Sequence, residues 1–380
     1  MIHFLLAVIY LAFISLGLPD ALLGGAWPVI YQQWDIPVSW AGILYMIISL
    51  GTVASSLLSD RLTRALGAGK VTALSVAFTA AALWGFSASG AFWQLCLWAV
   101  PYGLGAGSVD AALNNYVAIH YDARHMSWLH CMWGVGASIG PRIMARALTG
   151  AQDWSGGYRT VALIQTVLTL GLLCSLPLWK GKRRPAGQRR EKALSLPQVL
   201  AIPGVKRAMA AFFCYSAAET TVFLWGASYL ALHRDMAEAE AAALGGLFYL
   251  GMTVGRALGG FAAMRWSDRQ LIRLGQAVTA VGIVILLLPL GTASSAAGML
   301  VMGLGCAPIY PSFIHATPGY FGADRSQAVI GVQMACAYVA TSFMPPVFGL
   351  IAQYLSPALF PVYLLAFLVA MAVLHEGMAK

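Results

Sequence analysis

Charge is what this sequence has least of. Asp, Glu, Lys and Arg together make up 10% of its 380 residues, against roughly 25% in a soluble globular domain. That scarcity argues against a water-soluble fold, and an apolar content of 59% makes lipid the natural solvent. Polar connections are scarce too: the one long example is the basic stretch "KGKRRPAGQRREK", Lys180 to Lys192. Cysteine is sparse, and Cys96, Cys131, Cys174, Cys214, Cys306 and Cys336 all fall within apolar runs without metal-ligand spacing, so they read as small packing residues. Ten-residue segments of alternating polarity are absent, which excludes a β-barrel. No basic n-region precedes the first apolar run and no small-residue cleavage site follows it, so it reads as a retained helix. Nowhere do a nucleophile, a base and an orienting group combine, and an enzyme is not expected.

What the chain has in abundance is apolar runs of about 20 residues, the length that crosses a hydrocarbon core of roughly 30 Å as a helix. Twelve are expected, at 4–32, 38–59, 70–89, 92–119, 127–148, 158–179, 204–232, 238–264, 270–290, 293–315, 326–353 and 356–376. The fold class is therefore all-α integral membrane. The net charge of +9 does not imply nucleic acid, because its distribution follows the membrane. With the N-terminus in the cytoplasm, eighteen of the 23 Lys and Arg lie on the cytoplasmic side; Arg159 and Arg234 lie outside, and Arg142, Arg146 and Arg256 lie within spans. This asymmetry places both termini in the cytoplasm of a multi-pass protein of the plasma or bacterial inner membrane.

The basic stretch divides the chain into a six-helix bundle at 1–179, a linker at 180–203 facing anionic lipid, and a second six-helix bundle at 204–380. The halves echo each other. "YGLGAGSVDAALNNY" from Tyr102 matches "MGLGCAPIYPSFIHA" from Met302, Asp20 answers to Glu219, and "SLLSDRLTRALGAGK" returns as "AAMRWSDRQLIRLGQ". Parallel repeats of six spans are the signature of a transporter whose two bundles move by rocking.

An ionised side chain at the bilayer centre costs about 2.5–3.5 kcal/mol on insertion scales, so each one must face protein or water. Asp20, Asp110, Glu219, Arg142, Arg146 and Arg256 are the strongly charged residues deep in the spans. Asp110 and Asn114 stand one turn apart on one helix face, and Gly103 and Gly107 extend that face with small residues, giving one wall of a polar cavity or an interhelical glue. Asp20 follows Gly17 and Pro19, expected to loosen the helix and free backbone carbonyls; a carboxylate there exchanges a proton with the cavity. Glu219 either does the same or accepts hydrogen bonds from a solute. Arg142 meets an acid or an anionic solute, Arg146 snorkels, and Arg256 is expected to pin an inner gate by pairing with an acid. Trp27, Trp133 and Trp225 can stack on a solute ring or simply pack, and Tyr310, Gln333 and Asn115 are further solute-site candidates. Asp60, Arg61 and Arg64 in the loop after span two, and Asp268 in its echo, read as gate residues. His120, His125 and His315 fall near cytoplasmic ends without metal-ligand companions.

These features together resemble the major facilitator superfamily along the whole chain. "LPDALLGGAWPVIYQQ" in span one and "GLGAGSVDAALNNYV" in span four resemble segments of the fucose-galactose-glucose:proton symporters, fucose permease type. The resemblance implies proton coupling and sugar binding through an aspartate in span one and a glutamate in span four with an asparagine one turn later, positions held here by Asp20, Asp110 and Asn114. This chain differs in carrying Asp in span four and Ser56 where a glycine precedes the loop acid. "GASIGP" is also similar to a span-five motif of drug:proton antiporters. The expected function is a monomeric proton-coupled symporter of a small hydroxylated solute, a monosaccharide, working by alternating access; the alternative is a proton-driven exporter of drugs or metabolites. No cofactor is expected beyond the proton as coupling ion; the partners are the solute and the lipid bilayer.

Overall fold

The computed structural model describes residues 2–20, 22–37, 40–150, 153–179 and 193–379; most of the expected linker, 180–192, lies outside them. Among the described residues all regular structure is helical. In chain order the helices are α1 (Ile2–Asp20), α2 (Leu22–Gln33), α3 (Ala41–Leu66), α4 (Ala68–Ser87), α5 (Phe92–His120), α6 (Ala123–Thr149), α7 (Asp153–Ser175), α8 (Leu196–Leu200), α9 (Val205–His233), α10 (Glu238–Ala262), α11 (Asp268–Leu287), α12 (Thr292–Cys306), α13 (Ile309–Phe321), α14 (Ser326–Tyr354) and α15 (Phe360–Glu376).

Among the described residues, nine segments are long and apolar enough to cross a bilayer on composition alone. Three long helices, α5, α6 and α10, fall short of that measure, and each carries polar cargo: Asp110, Asn114 and Asn115 on α5, His130, Arg142 and Arg146 on α6, Arg256 on α10. Polar residues at lipid depth are expensive, so the helices that keep them are the ones with work to do.

The chain forms two compact units. The first comprises Met1–Tyr116, Leu129–Leu196 and Ile330–Ala335; the second comprises Val117–Trp128, Pro197–Val329 and Cys336–Lys380. In the first, Leu22, Ala26, Ile30, Leu44, Leu83, Met144, Trp154 and Tyr158 form a buried core that ties α2 to α3, α4, α6 and α7. In the second, Phe212, Tyr215, Tyr229, Phe248, Phe348 and Phe360 are fully buried.

The internal repeat is a repeat of contacts, at an offset of 200 residues. A Cβ on Gly103 of α5 would collide with the Ile48 carbonyl of α3, and one on Gly303 of α12 would collide with the Phe248 carbonyl of α10. Gly105 sits against Ser75 and Thr79, as Gly305 sits against Gly275 and Thr279. Such small residues let backbones approach within a membrane, where packing rather than hydrophobicity drives association. The turns repeat as well: Trp34 N donates to Ile30 O and Arg234 N to Leu230 O, and each turn is followed by a left-handed aspartate, Asp35 (φ 49°) and Asp235 (φ 52°). Aspartate tolerates that conformation better than most side chains.

Four expectations require correction. Gly103 and Gly107 line no cavity; they pack on Ile48 and Thr52 of α3. Asp60, Arg61 and Arg64 are not in a loop: α3 runs through them to Leu66, and Gly67, at φ 84°, is the sole residue separating it from α4. The tenth span is two helices, α12 and α13, meeting at Ala307 and Pro308, since proline has no N–H with which to continue the ladder. Finally, α1 stays helical to Asp20 rather than loosening at Gly17 and Pro19, although Pro19 does free one backbone carbonyl as expected. Pro19 cannot donate to the Ser15 carbonyl four residues back; Gln165 Nε2 of α7 donates to that carbonyl instead. Gly17 is a contact point, its α-carbon set against the Trp133 carbonyl of α6.

Candidate functional site

The first unit gathers a chain of polar groups on α1, α5 and α6. Asp20, well inside the apolar span Phe4–Trp27, is accessible to solvent. Trp133 Nε1 donates to its Oδ2 at 2.9 Å and Tyr102 Oη donates to its Oδ1 at 3.3 Å. Both donors are neutral, and among the described residues no cation pairs with Asp20. The carboxyl is thus held in orientation by dipoles, while its charge is left for water, a solute or a proton to compensate.

Asp110 lies within electrostatic reach of Asp20. Asn114 Nδ2 donates to Asp110 Oδ1 at 2.7 Å and to the Asp110 carbonyl at 3.0 Å, which fixes the amide. Its Oδ1 then faces His130 Nε2 of α6 at 3.0 Å, so that ring nitrogen carries a hydrogen. His130 is buried and edge-on to Phe13 of α1, with centroids 5.5 Å apart. Helix α1 can approach α6 this closely because Gly136 and Gly140 face the Ile14 and Leu18 carbonyls. Gly136 and Gly140 of "GVGASIGP" are accounted for by that seam.

Other candidates are placed apart from this chain. Trp27 is buried in the first unit's core, edge-on to Phe92 at 6.2 Å. Asn115 is buried, and Gln333 is fully buried in the part of α14 that belongs to the first unit. Arg142 is exposed; its Nη1 donates to the Ser138 carbonyl of its own helix at 3.0 Å, and no described acid pairs with it.

In the second unit Arg256 Nη2 stands 3.2 Å from Glu219 Oε1, with both residues buried. This corrects two expectations. Arg256 pairs with an acid, but with Glu219 at membrane depth rather than at an inner gate, and Glu219 is already committed to a cation. The physical reason is desolvation: two opposite charges forced into a dry interior find each other before anything else. Tyr215 also hydrogen-bonds Glu219 and packs on Tyr310, whose ring lies 6.0 Å from it and 4.8 Å from Phe212. Trp225 is a packing residue, donating to the Pro345 carbonyl at 2.9 Å and edge-on to Phe348.

The gate candidates divide as well. Asp60 is buried and bonded by Arg64 Nε at 2.8 Å one turn later on α3, while Arg61 is exposed. Asp268 begins α11 and is paired with His315 of α13 at 2.7 Å. Sequence reasoning overlooked Tyr102, His130, Gln165 and the partnership of His315. A polar residue inside an apolar span, the signal that picked out Asn114, would have flagged Gln165 and His130; Tyr102 and the pairing of His315 gain meaning only from partners on distant helices.

The sequence profile of the Major Facilitator Superfamily matches residues 9–237 and 207–376. The chain belongs to that superfamily. It is therefore a multi-pass membrane transporter and not an enzyme. An uncharacterized transporter of Sinorhizobium fredii is 25% identical over 355 residues, 88% of each chain. Among solved structures, the transporter FucP in its outward conformation matches with a TM-score of 0.81 at 15% identity, over 99% of this chain and 98% of that one; FucP of E. coli is described as a fucose:proton symporter. A human organic anion transporter matches at 0.77 and 14% identity, over 97% and 98%. At such identities the likeness is one of fold.

Proposed function

We propose that this transporter is a proton-coupled symporter of a small hydroxylated solute, a monosaccharide, working as a monomer by alternating access of its two bundles. The observation that carries the reading is Asp20: a solvent-accessible carboxyl deep in a membrane span, held by Trp133 and Tyr102 and, among the described residues, paired with no cation. Such a group binds and releases a proton as its surroundings change, which a carboxylate locked to an arginine does not. Asp110, coupled electrostatically to it and tethered through Asn114 to His130, is the second proton-linked acid. A solute hydroxyl that donates to Asp20 competes with Tyr102 and Trp133, and the Trp133 indole offers a face for a sugar ring. Solute entry and proton binding are coupled because both act on one carboxyl. The fold shared with a fucose:proton symporter supports a sugar as cargo.

The exposed guanidinium of Arg142, with no acid partner among the described residues, favours a second reading in which the solute is a sugar acid or another hydroxylated anion. Purified protein in proteoliposomes, given an acid-outside gradient, is expected to accumulate a labelled member of a panel of neutral sugars and sugar acids. Expulsion of that solute would point to an exporter, and uptake indifferent to the gradient would remove the proton from the mechanism.

A further inference from the structure

One cluster outside the Asp20 region offers a titratable clasp. On α13, one and a half turns before its end, His315 is partnered on both ring nitrogens. Nδ1 lies 2.7 Å from Asp268 Oδ2 and Nε2 lies 3.4 Å from the Tyr121 carbonyl. A carboxylate oxygen and a backbone carbonyl are both acceptors, and a neutral imidazole has one N–H to offer. Only the doubly protonated ring makes both bonds.

The setting keeps that geometry in place. Ser267 and Gln270 form the capping box of α11 between themselves, so the Asp268 side chain is not spent on capping and faces His315. Asp268 Oδ1 has no hydrogen-bond partner among the described residues. Tyr121 belongs to the segment 117–128, which is also seated on α10: Trp128 Nε1 donates to the Ala257 carbonyl at 3.2 Å, and a side chain at Gly260 would occupy the place of that indole. Facing His315 are Asp268 from α11 and Asp122 from the turn after α5. The nearby cations are held by other groups: Arg124 lies 3.2 Å from Asp122 and Arg269 lies 2.8 Å from Glu376.

We propose that His315 is a further proton-binding site of this transporter, a latch that holds the segment 117–128 to α11 and α13 while its imidazole carries two protons. When the Nε2–H bond breaks, the proton passes to water, the Tyr121 carbonyl loses its donor, and Asp268 keeps the single remaining N–H. The residue lies on the face that the basic residues assign to the cytoplasm, where a proton brought in by transport has to leave. The latch rests on the chain's being a proton-coupled transporter, and not on sugar or symport being right, so it can fail while that reading stands.

Two measurements test it. In protein labelled with 15N-histidine, the resonances lost in His315→Gln identify this ring. At pH 6 both of its nitrogens are expected to carry hydrogen, with one lost by about pH 8, across the range where imidazole titrates; a singly protonated ring at pH 6 would overturn the proposal. The second measurement uses Ser127, buried within the seated segment and close to Gly259. With Ser127→Cys as a reporter, alkylation by a maleimide at that position is compared with and without His315→Gln. Alkylation is expected to be about tenfold faster with His315→Gln at pH 6 and equal at pH 8, because the intact clasp shields the thiol only while the ring is charged. A ratio that does not change with pH sinks the latch. If the glutamine variant does not fold, the ring is identified by elimination, as the resonances that survive replacement of each of the other six histidines in turn, and the measurement on the native protein still decides the matter.

Discussion

Asp20 and Glu219 occupy comparable places in the two halves, yet their surroundings differ. Asp20 meets neutral donors, whereas Glu219 meets Arg256. The expected consequences differ accordingly. Asp110→Asn, within electrostatic reach of Asp20, replaces an acid by its uncharged isostere; gradient-driven uptake is expected to vanish while solute counterflow persists, as measured in the same vesicles. Driven uptake equal to wild type would take Asp110 out of the coupling. Arg256→Met leaves Glu219 buried without its cation and is expected to destabilise the fold by about 3–5 kcal/mol. Adding Glu219→Met removes the orphaned charge and should recover most of that loss, since a buried ion pair contributes little over well-packed apolar side chains. Thermal unfolding in detergent, followed by tryptophan fluorescence, distinguishes the single from the double variant.

At the scale of helices, the glycine seams carry the argument. Gly103 and Gly303 face carbonyls of neighbouring helices at equivalent places in the repeat, so alanine at either position should destabilise to a similar degree, about 1–3 kcal/mol for overpacking. Gly171 on α7 has open space around it. There, alanine should be neutral or stabilising by up to about 1 kcal/mol, through helix propensity alone. Equal melting temperatures for all three variants would refute the seam. The sequence signal at these helices was mixed. "GLGAG" was legible as a special stretch, but whether its glycines faced a cavity or a helix was not, because a missing side chain says nothing about what fills the space. The acidic signature after span two and its echo were legible as a pair, yet their places differ: Asp60 lies inside α3, in its last two turns, and Asp268 begins α11. Similar letters at an offset of 208 conceal a contact repeat at 200.

For the whole molecule, the expected disposition in the membrane has a direct check. A cysteine-bearing tag at either terminus should resist an impermeant thiol reagent in intact cells and react after permeabilisation. Labelling of either tag in intact cells would contradict the positive-inside reading.

Composition and the length of the apolar runs determined that this protein lives in lipid and is helical, because the bilayer admits only helices and closed barrels and the runs lack a barrel's alternation; the repeated motifs pointed to two related halves. The residues that carry charge at depth were likewise visible, since lipid makes every such residue conspicuous. Only the tertiary structure decided which of them are neutralised and which remain available: that Arg256 takes Glu219, that Trp133 and Tyr102 hold Asp20 without cancelling its charge, and that His315 spans two acceptors. Partnership depends on distances of about 3 Å between groups 37 to 194 residues apart in the chain, and no local pattern in the chain encodes them.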